Sequence, residues 1–429
     1  MEMNLRKLVT LCALMAIPFT VLSGESAKFA YCDITKPEFF PILPWDALHG
    51  MKNEVRTRPE NSLESIADCN FNMAGFVHRE DLSRCKKLGL GALLFPFDPD
   101  FSKHSWNTLS DEGIDQKIKQ LVHDAGNNPA LMGYFVTDEP GVKDFPALAK
   151  AVAAVKKYAP GKLAYINLLP DYATIGAPDK SQLGTENYTE YLERFVNEVH
   201  PQLISYDNYR VEMSEDFKHP EKAESYFRNL LEVRRVGLKY NLPYLNIVTG
   251  NQIRPYSTPP SPANFAFQAY TTLAAGYRGV TWFTYFQRGY HYAAIDTDGT
   301  KSQTWFYLQE VNRQVATLAP IMSKLKSTGV YFSKAPYPNL PLLPGNLVQS
   351  VECESPLMIG EFKANDGNLY AMVVNLSLER SAKFSLKTKD EASTIQIVST
   401  VDRSLSPIDE KNGLWLVAGQ GALLKLGKK

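Results

Sequence analysis

The sequence predicts an α/β protein: a (β/α)8 barrel, or TIM barrel, followed by a small antiparallel β-sandwich. Three observations predict it. Eight short β-rich runs alternate with longer helical patterns over roughly the first 300 residues, and parallel strands require such crossovers. A proline-rich stretch then interrupts the chain at Ala335–Pro344 (APYPNLPLLP). Beyond it the helical periodicity disappears and short alternating runs take over.

The elements follow in order. Arg6 and Lys7 precede an apolar run from Leu8 to Leu22, broken by Thr10, Pro18 and Thr20 and followed by small Ser23 and Gly24. A positive start, a short apolar centre and small residues at its end describe a secretory signal over residues 1–24. The run is too short and broken for a membrane span. Cys12 lacks the small residue before it that a lipoprotein signal needs. No second apolar stretch is long enough to cross a bilayer, so no transmembrane segment is expected in the mature chain. The mature protein is expected in the periplasm, outside the cell or at its surface.

The barrel is expected over residues 25–334. Its strands are predicted at Phe40–Leu43, Phe71–Val77, Gly91–Phe95, Met132–Val136, Leu163–Asn167, Leu203–Tyr206, Tyr244–Val248 and Gly279–Phe283. Amphipathic helices are predicted at Asp144–Tyr158, Tyr188–Val199, Glu221–Tyr240 and Ala263–Ala275. Gly89, Pro160-Gly161 and Gly276 supply stop signals before the third, fifth and eighth strands. Residues 335–344 read as an extended linker. The sandwich is expected over residues 345–429, with Asn365-Asp366-Gly367-Asn368 as a hairpin turn. Trp415, the one tryptophan of this region, suits a sandwich core as well as a glycan-binding face.

Composition narrows the function. The 429 residues carry 46 Lys+Arg and 46 Asp+Glu, a net formal charge of zero, so the basic footprint of a nucleic-acid binder is missing. The 22 Tyr and 22 Phe supply flat faces suited to sugar rings. Of the 5 Cys, Cys32, Cys69, Cys85 and Cys353 lie beyond the signal and fit neither a disulfide framework nor a zinc pattern, so buried free thiols are expected. No metal and no cofactor are expected. There is no phosphate-cradling glycine loop, no Gly-x-Ser-x-Gly elbow and no His-Glu-x-x-His. Asp296-Thr297-Asp298-Gly299 begins like a calcium loop but lacks its closing glutamate, and reads as a turn.

In a barrel the chemistry sits at the carboxyl ends of the strands. The fourth strand runs directly into Asp138-Glu139-Pro140. In an ordinary loop Asp138 would cap a helix and Glu139 would pair with a lysine. At this strand end the two carboxylates oppose each other's ionisation, which raises one pKa toward what a general acid needs. The sixth strand ends Tyr206-Asp207-Asn208-Tyr209, a further carboxylate between two phenols. Other strand ends add Trp45, Asp46, His78, Asp98, Asn167, Asn246, Gln252, Trp282, Tyr285 and Gln287 as candidate substrate contacts. Together they describe an oxygen-rich, aromatic-walled cleft for a polyhydroxylated neutral substrate.

The runs GYFVTDEPG (Gly133–Gly141), SYDNY (Ser205–Tyr209) and GVTWFTYF (Gly279–Phe286), with the segment Asp298–Arg313, resemble secreted glycoside-hydrolase-like (β/α)8 proteins of Bacteroides-type bacteria, in which a β-sandwich is the usual companion. In the large retaining clan, the resemblance implies Glu139 as acid/base and a glutamate after the seventh strand as nucleophile; here Tyr244–Arg254 (YLNIVTGNQIR) holds no carboxylate. In hexosaminidases and chitinases that use the substrate's acetamido oxygen, it implies Glu139 as acid/base and Asp138 as the group that steadies the acetamide. Tyr206-Asp207 is similar to the chitinases' pair after the sixth strand, although their full spaced-aspartate motif is missing. A third arrangement sets Asp207 as base or nucleophile opposite Glu139.

The expected function is an exported glycoside hydrolase acting on an oligosaccharide or polysaccharide, neutral or N-acetylated. Glu139 is its acid/base, and Asp138 and Asp207 complete the carboxylate set. The alternatives are a carbohydrate-binding barrel that has lost its nucleophile and a structural surface protein with a blocked barrel mouth.

Overall fold

A computed structural model describes residues 29–45, 62–95, 105–177, 179–210, 220–253, 258–287, 289–390, 393–408 and 413–428. The signal segment 1–24 and the candidates Asp46 and Asp98 lie outside the described residues. Eight parallel strands form the first sheet: β1 (Ile42–Pro44), β2 (Met73–Val77), β3 (Gly91–Leu94), β4 (Leu131–Asp138), β5 (Leu163–Leu168), β6 (Ile204–Asp207), β7 (Tyr244–Thr249) and β8 (Val280–Phe283). They pair in the order β1-β8-β7-β6-β5-β4-β3-β2. Asn72 spans the remaining seam between β2 and β1. Its side chain accepts from Ile42 N at 2.7 Å and donates to Phe40 O at 3.0 Å, while its backbone N–H donates to Ile42 O at 3.3 Å.

Among the described residues eight α-helices accompany the strands: α1 (Leu63–Asp68), α2 (Leu82–Leu88), α3 (Asp111–Ala125), α4 (Phe145–Tyr158), α5 (Tyr188–Arg194), α6 (Pro220–Tyr240), α7 (Pro262–Ala274) and α8 (Gln303–Met322). Their ends follow local chemistry. Ser110 caps α3 by accepting from Gly113 N, and Asn187 caps α5 by accepting from Glu190 N. Gly89 ends α2 at φ 74°, a left-handed conformation that glycine adopts without penalty, and β3 begins two residues later. The barrel interior below the mouth is aromatic. Trp45 meets Phe76 edge-on at 4.7 Å between ring centroids, and Phe76 meets Phe135 at 4.6 Å.

Among the described residues nine antiparallel strands follow. The six-stranded sheet has the order β15-β14-β17-β12-β11-β9, from β9 (Leu325–Phe332), β11 (Leu357–Ala364), β12 (Leu369–Asn375), β14 (Ser393–Val398), β15 (Leu405–Pro407) and β17 (Gly421–Lys428). The three-stranded sheet has the order β10-β13-β16, from β10 (Val348–Glu352), β13 (Ala382–Thr388) and β16 (Leu414–Leu416). The β-rich part therefore begins at Leu325, not after residue 334. The strand was missed because it follows α8 with only two residues between them and precedes the prolines.

The segment 335–344 is also no free spacer. Phe332 N donates to Pro341 O, Leu343 N donates to Phe332 O, and Tyr337 lies against Phe227 of α6. The central strands of the larger sheet bury both faces. On β12, Ala371 and Val373 enter the core between the two sheets, whereas Met372 and Val374 join the barrel's core. This alternation is the period-two geometry of a strand, with apolar residues on both sides. Helix α7 is buried along Asn264–Ala274 because the barrel lies on one side and the sheet on the other. At Gly360 a Cβ would stand 1.9 Å from Ala274 O, so glycine lets the sheet backbone approach the end of α7.

Candidate active site

Sequence parity along β4 is broken at one point. Phe135 pairs with Tyr165 and Thr137 with Ile166, leaving Val136 as an extra residue. Phe135 packs on Trp45 and Phe76 in the interior. Asp138, three residues on, also faces the barrel mouth. An unbulged strand would put residues three apart on opposite faces, so the bulge re-aims Asp138 inward. Glu139 then adopts φ 48°, the left-handed region that bulky L-residues rarely occupy. Its backbone N–H donates to Asn167 O at 2.9 Å, extending the ladder by one rung. This turn brings Glu139 to the same side as Asp138, where alternation alone would separate them. The left-handed backbone costs roughly 1–2 kcal/mol, held by the surrounding packing.

The hollow at the mouth has a volume of about 370 Å³. Asp138, Glu139, Asn167 and Asp207 supply its polar wall, and Trp45, Tyr209, Phe283, Tyr290 and Ile253 the rest. Tyr209 stacks on Phe283 at 5.1 Å, and Tyr290 meets Phe283 edge-on at 5.3 Å. Asn167 is the hub. Its Nδ2 donates to Asp138 Oδ1 at 3.0 Å and to Asp207 Oδ1 at 2.9 Å. Its Oδ1 accepts from Ser205 Oγ at 3.2 Å, and Ser205 bonds to Tyr165 OH at 2.8 Å. The spine therefore runs from the aromatic floor to the carboxylates.

Asp207 is 2% exposed. Burial first, then the Glu139 and Asp138 carboxylates, push its pKa well above the ordinary value, against the lowering effect of the Asn167 hydrogen bond. Burial and the nearby Asp207 charge likewise push Tyr172 and Tyr209 upward, so both phenols stay protonated. The Arg210 guanidinium lies 4.3 Å from the Tyr172 ring centroid, beside this acidic cluster. Among the described residues, no group of three or more His, Cys, Asp or Glu is placed to hold a metal ion, and no helix is long and apolar enough to cross a membrane. Cys32, Cys69 and Cys85 are free and buried, and Cys353 is free and half-buried.

Of the sequence candidates, Trp45, Asp138, Glu139, Asn167, Asp207 and Tyr209 meet at the hollow. Four others point elsewhere. Tyr206 is buried against Tyr277, whose hydroxyl donates to it at 3.1 Å. Asn246 donates to Thr272 on α7, and Trp282 donates to Asn312 on α8. Tyr285 bonds to Ser65 Oγ at 2.6 Å beneath α1. These side chains face the helix layer. Tyr206 and Trp282 are the strand neighbours of Asp207 and Phe283, which face the mouth, so each has the opposite parity. His78, Gln252 and Gln287 do not line the hollow: His78 precedes the turn at Arg79–Asp81, Gln252 pairs with His291 through the backbone, and Gln287 N donates to Ile295 O. Phe283, Tyr290 and Ile253 were missed. Parity within GVTWF could have found Phe283, whereas Ile253 and Tyr290 come from loops.

No family model matches this chain, and no curated protein matches it. Solved structures do. A catalytic mutant of Gan42B, a GH42 β-galactosidase from G. stearothermophilus, superposes with a TM-score of 0.62 at 9% identity, covering 91% of this chain and 98% of that one. A β-galactosidase from Bacillus circulans gives 0.58 at 9% identity, over 90% and 99%. A glycoside hydrolase family 5 protein from Bacteroides vulgatus gives 0.53 at 13% identity, over 91% and 89%. At these identities the likeness establishes the fold that this chain shares with glycoside hydrolases: a (β/α)8 barrel followed by antiparallel sheets.

Proposed function

We infer that the protein is an exported glycoside hydrolase that cleaves an O-glycosidic bond of a neutral or N-acetylated glycan, with Glu139 as general acid/base. One observation carries the reading. Asp138, Glu139 and Asp207, from two different strand ends, share a single hollow with the aromatic side chains Trp45, Tyr209, Phe283 and Tyr290. Protonated Glu139 donates to the glycosidic oxygen as the bond from the anomeric carbon to that oxygen breaks, and the alcohol leaves. The resulting carboxylate then accepts a proton from the water that completes hydrolysis. Asp138, held by Asn167, steadies positive charge at the ring or the acetamido group of an N-acetylated sugar. Asp207 is buried, and burial together with the Glu139 and Asp138 carboxylates raises its pKa above the ordinary value. Trp45, the stacked Tyr209–Phe283 pair and Tyr290 offer aromatic surface to the sugar ring. Export rests on the N-terminal pattern at residues 1–24, and N-terminal sequencing of the secreted protein tests it.

The reaction is tested by a screen of aryl glycosides that includes N-acetylhexosaminides, with Asp138→Asn beside the wild type. Release of the aryl alcohol by the wild type is expected. Loss in Asp138→Asn confined to the acetamido sugars selects the substrate-assisted route, whereas loss on every sugar selects a direct role for Asp138 at the ring. Silence of the wild type across the screen, with an oligosaccharide bound intact, contradicts hydrolysis.

A second reading, a sugar-binding barrel without turnover, has one observation in its favour. The end of β7 presents Thr249, Gly250, Asn251, Gln252 and Ile253, with no carboxylate. Thr249 and Asn251 there are engaged by Gln268 and Thr284.

A further inference from the structure

We propose that the smaller sheet of the β-rich part carries a second carbohydrate-binding site, centred on Trp415 and built for a neutral polysaccharide. The inference goes beyond the barrel chemistry and does not depend on it. Trp415 is 65% exposed, whereas the chain's other four tryptophans are 5% exposed or less. Its strand β16 is the edge of the three-stranded sheet. Strand alternation explains the exposure: Leu416 points into the inter-sheet core, and Trp415 and Val417 point out, with Val417 62% exposed. Trp415 pairs in register with Lys383 of β13, so the indole and the lysine's apolar stem lie side by side on one outward face.

Beside the ring is a cleft of about 640 Å³. That lies within the roughly 300–1,000 Å³ of small-molecule sites. Glu352, Glu354, Arg380, Ser381 and Lys383 line it with Trp415. Two carboxylates balance two cations, so the cleft has no net charge to select an ion. It offers hydrogen-bond donors and acceptors around one aromatic platform. A pyranose ring matches this surface: its axial C–H face stacks on the indole while its hydroxyls meet alternating donors and acceptors. The cleft shares no residue with the barrel hollow.

The test uses the full chain carrying Glu139→Gln, with and without Trp415→Ala or Trp415→Phe. Each protein is run on native gels containing galactomannan, xyloglucan, mixed-linkage glucan or polygalacturonate. Retardation by at least one of the three neutral polymers is expected. Trp415→Ala is expected to weaken it at least tenfold, and Trp415→Phe to retain most of it. On the Glu139 background, melting temperature and aryl glycoside hydrolysis are expected to be unchanged by Trp415→Ala. Any of four results overturns the proposal: no retardation by any neutral polymer, equal retardation of Trp415→Ala, retardation by polygalacturonate alone, or a light-scattering dimer that Trp415→Ala abolishes, which assigns the face to a second copy of the chain. Trp415-dependent retardation without hydrolysis of any aryl glycoside leaves this site standing and removes the barrel reading.

Discussion

Asn167 Nδ2 stands 2.9 Å from Asp207 Oδ1 and sends its other hydrogen to Asp138 Oδ1. One amide thus ties the end of β6 to the end of β4 across β5. Its oxygen accepts from Ser205 Oγ, so both donors and the oxygen of the amide are engaged. Asn167→Ala removes the donor from two carboxyl groups and leaves Asp207 buried without it. The expected cost is about 1–3 kcal/mol of stability, measured by urea unfolding. Turnover is expected to fall as well, because Asp138 loses its anchor.

Asp207 gives a pH dependence with a defined sign. Its folded pKa lies above the ordinary aspartate value of 3.8. Below that value both folded and unfolded chains hold the proton, and the group has no effect. As pH rises above it, the unfolded chain releases the proton while the folded chain keeps it. Stability is therefore lost with rising pH until the folded pKa is reached. Asp207→Asn removes this penalty and keeps an acceptor for Asn167. Melting curves at pH 4 and pH 7 are expected to show the variant gaining on the wild type at the higher pH. An equal difference at both values would assign the raised pKa elsewhere.

The left-handed backbone at Glu139 predicts a trade between stability and activity. Glu139→Gly relieves the φ 48° conformation, whereas Glu139→Gln retains it. The glycine variant is expected to be more stable than the glutamine variant by about 1 kcal/mol in urea unfolding, with neither hydrolysing substrate efficiently.

The contact at Gly360 predicts how the two parts unfold. Adding a Cβ there drives it into the backbone of Ala274 at the end of α7. Gly360→Ala is expected to cost about 1–3 kcal/mol. Because Met372, Val374 and Leu423 lie in the barrel's own core, the loss should appear in a single calorimetric transition of the whole chain. A barrel transition left in place beside a shifted second peak would contradict the shared core.

The barrel was legible because each of its eight strands is a compact apolar run between breakers, a signal that local chemistry writes into the sequence. Strand β9 was not, since Leu325–Phe332 (LKSTGVYF) alternates only weakly and its partner Leu357–Ala364 lies beyond the proline-rich segment. At the mouth, the pair Asp138-Glu139 stood out as two adjacent carboxylates at a strand end. What brings them together was hidden, because the extra residue Val136 and the turn at Glu139 arise from pairing with β5. Tyr206, Asn246 and Trp282 were drawn into the candidate site because proximity to a strand end was counted without parity. Trp415 fell the other way: its strand was read, but which of its faces is covered depends on the second sheet, which buries Leu416 and leaves Trp415 outside.

The role of Glu139 is tested most sharply by the turnover of Glu139→Gln on an aryl glycoside that the wild type cleaves. The amide keeps the shape and the left-handed backbone but holds no transferable acid proton. A fall in turnover of roughly 10²–10⁴-fold is expected, with the sugar still bound as read by inhibitor or substrate affinity. Turnover equal to that of the wild type would contradict it.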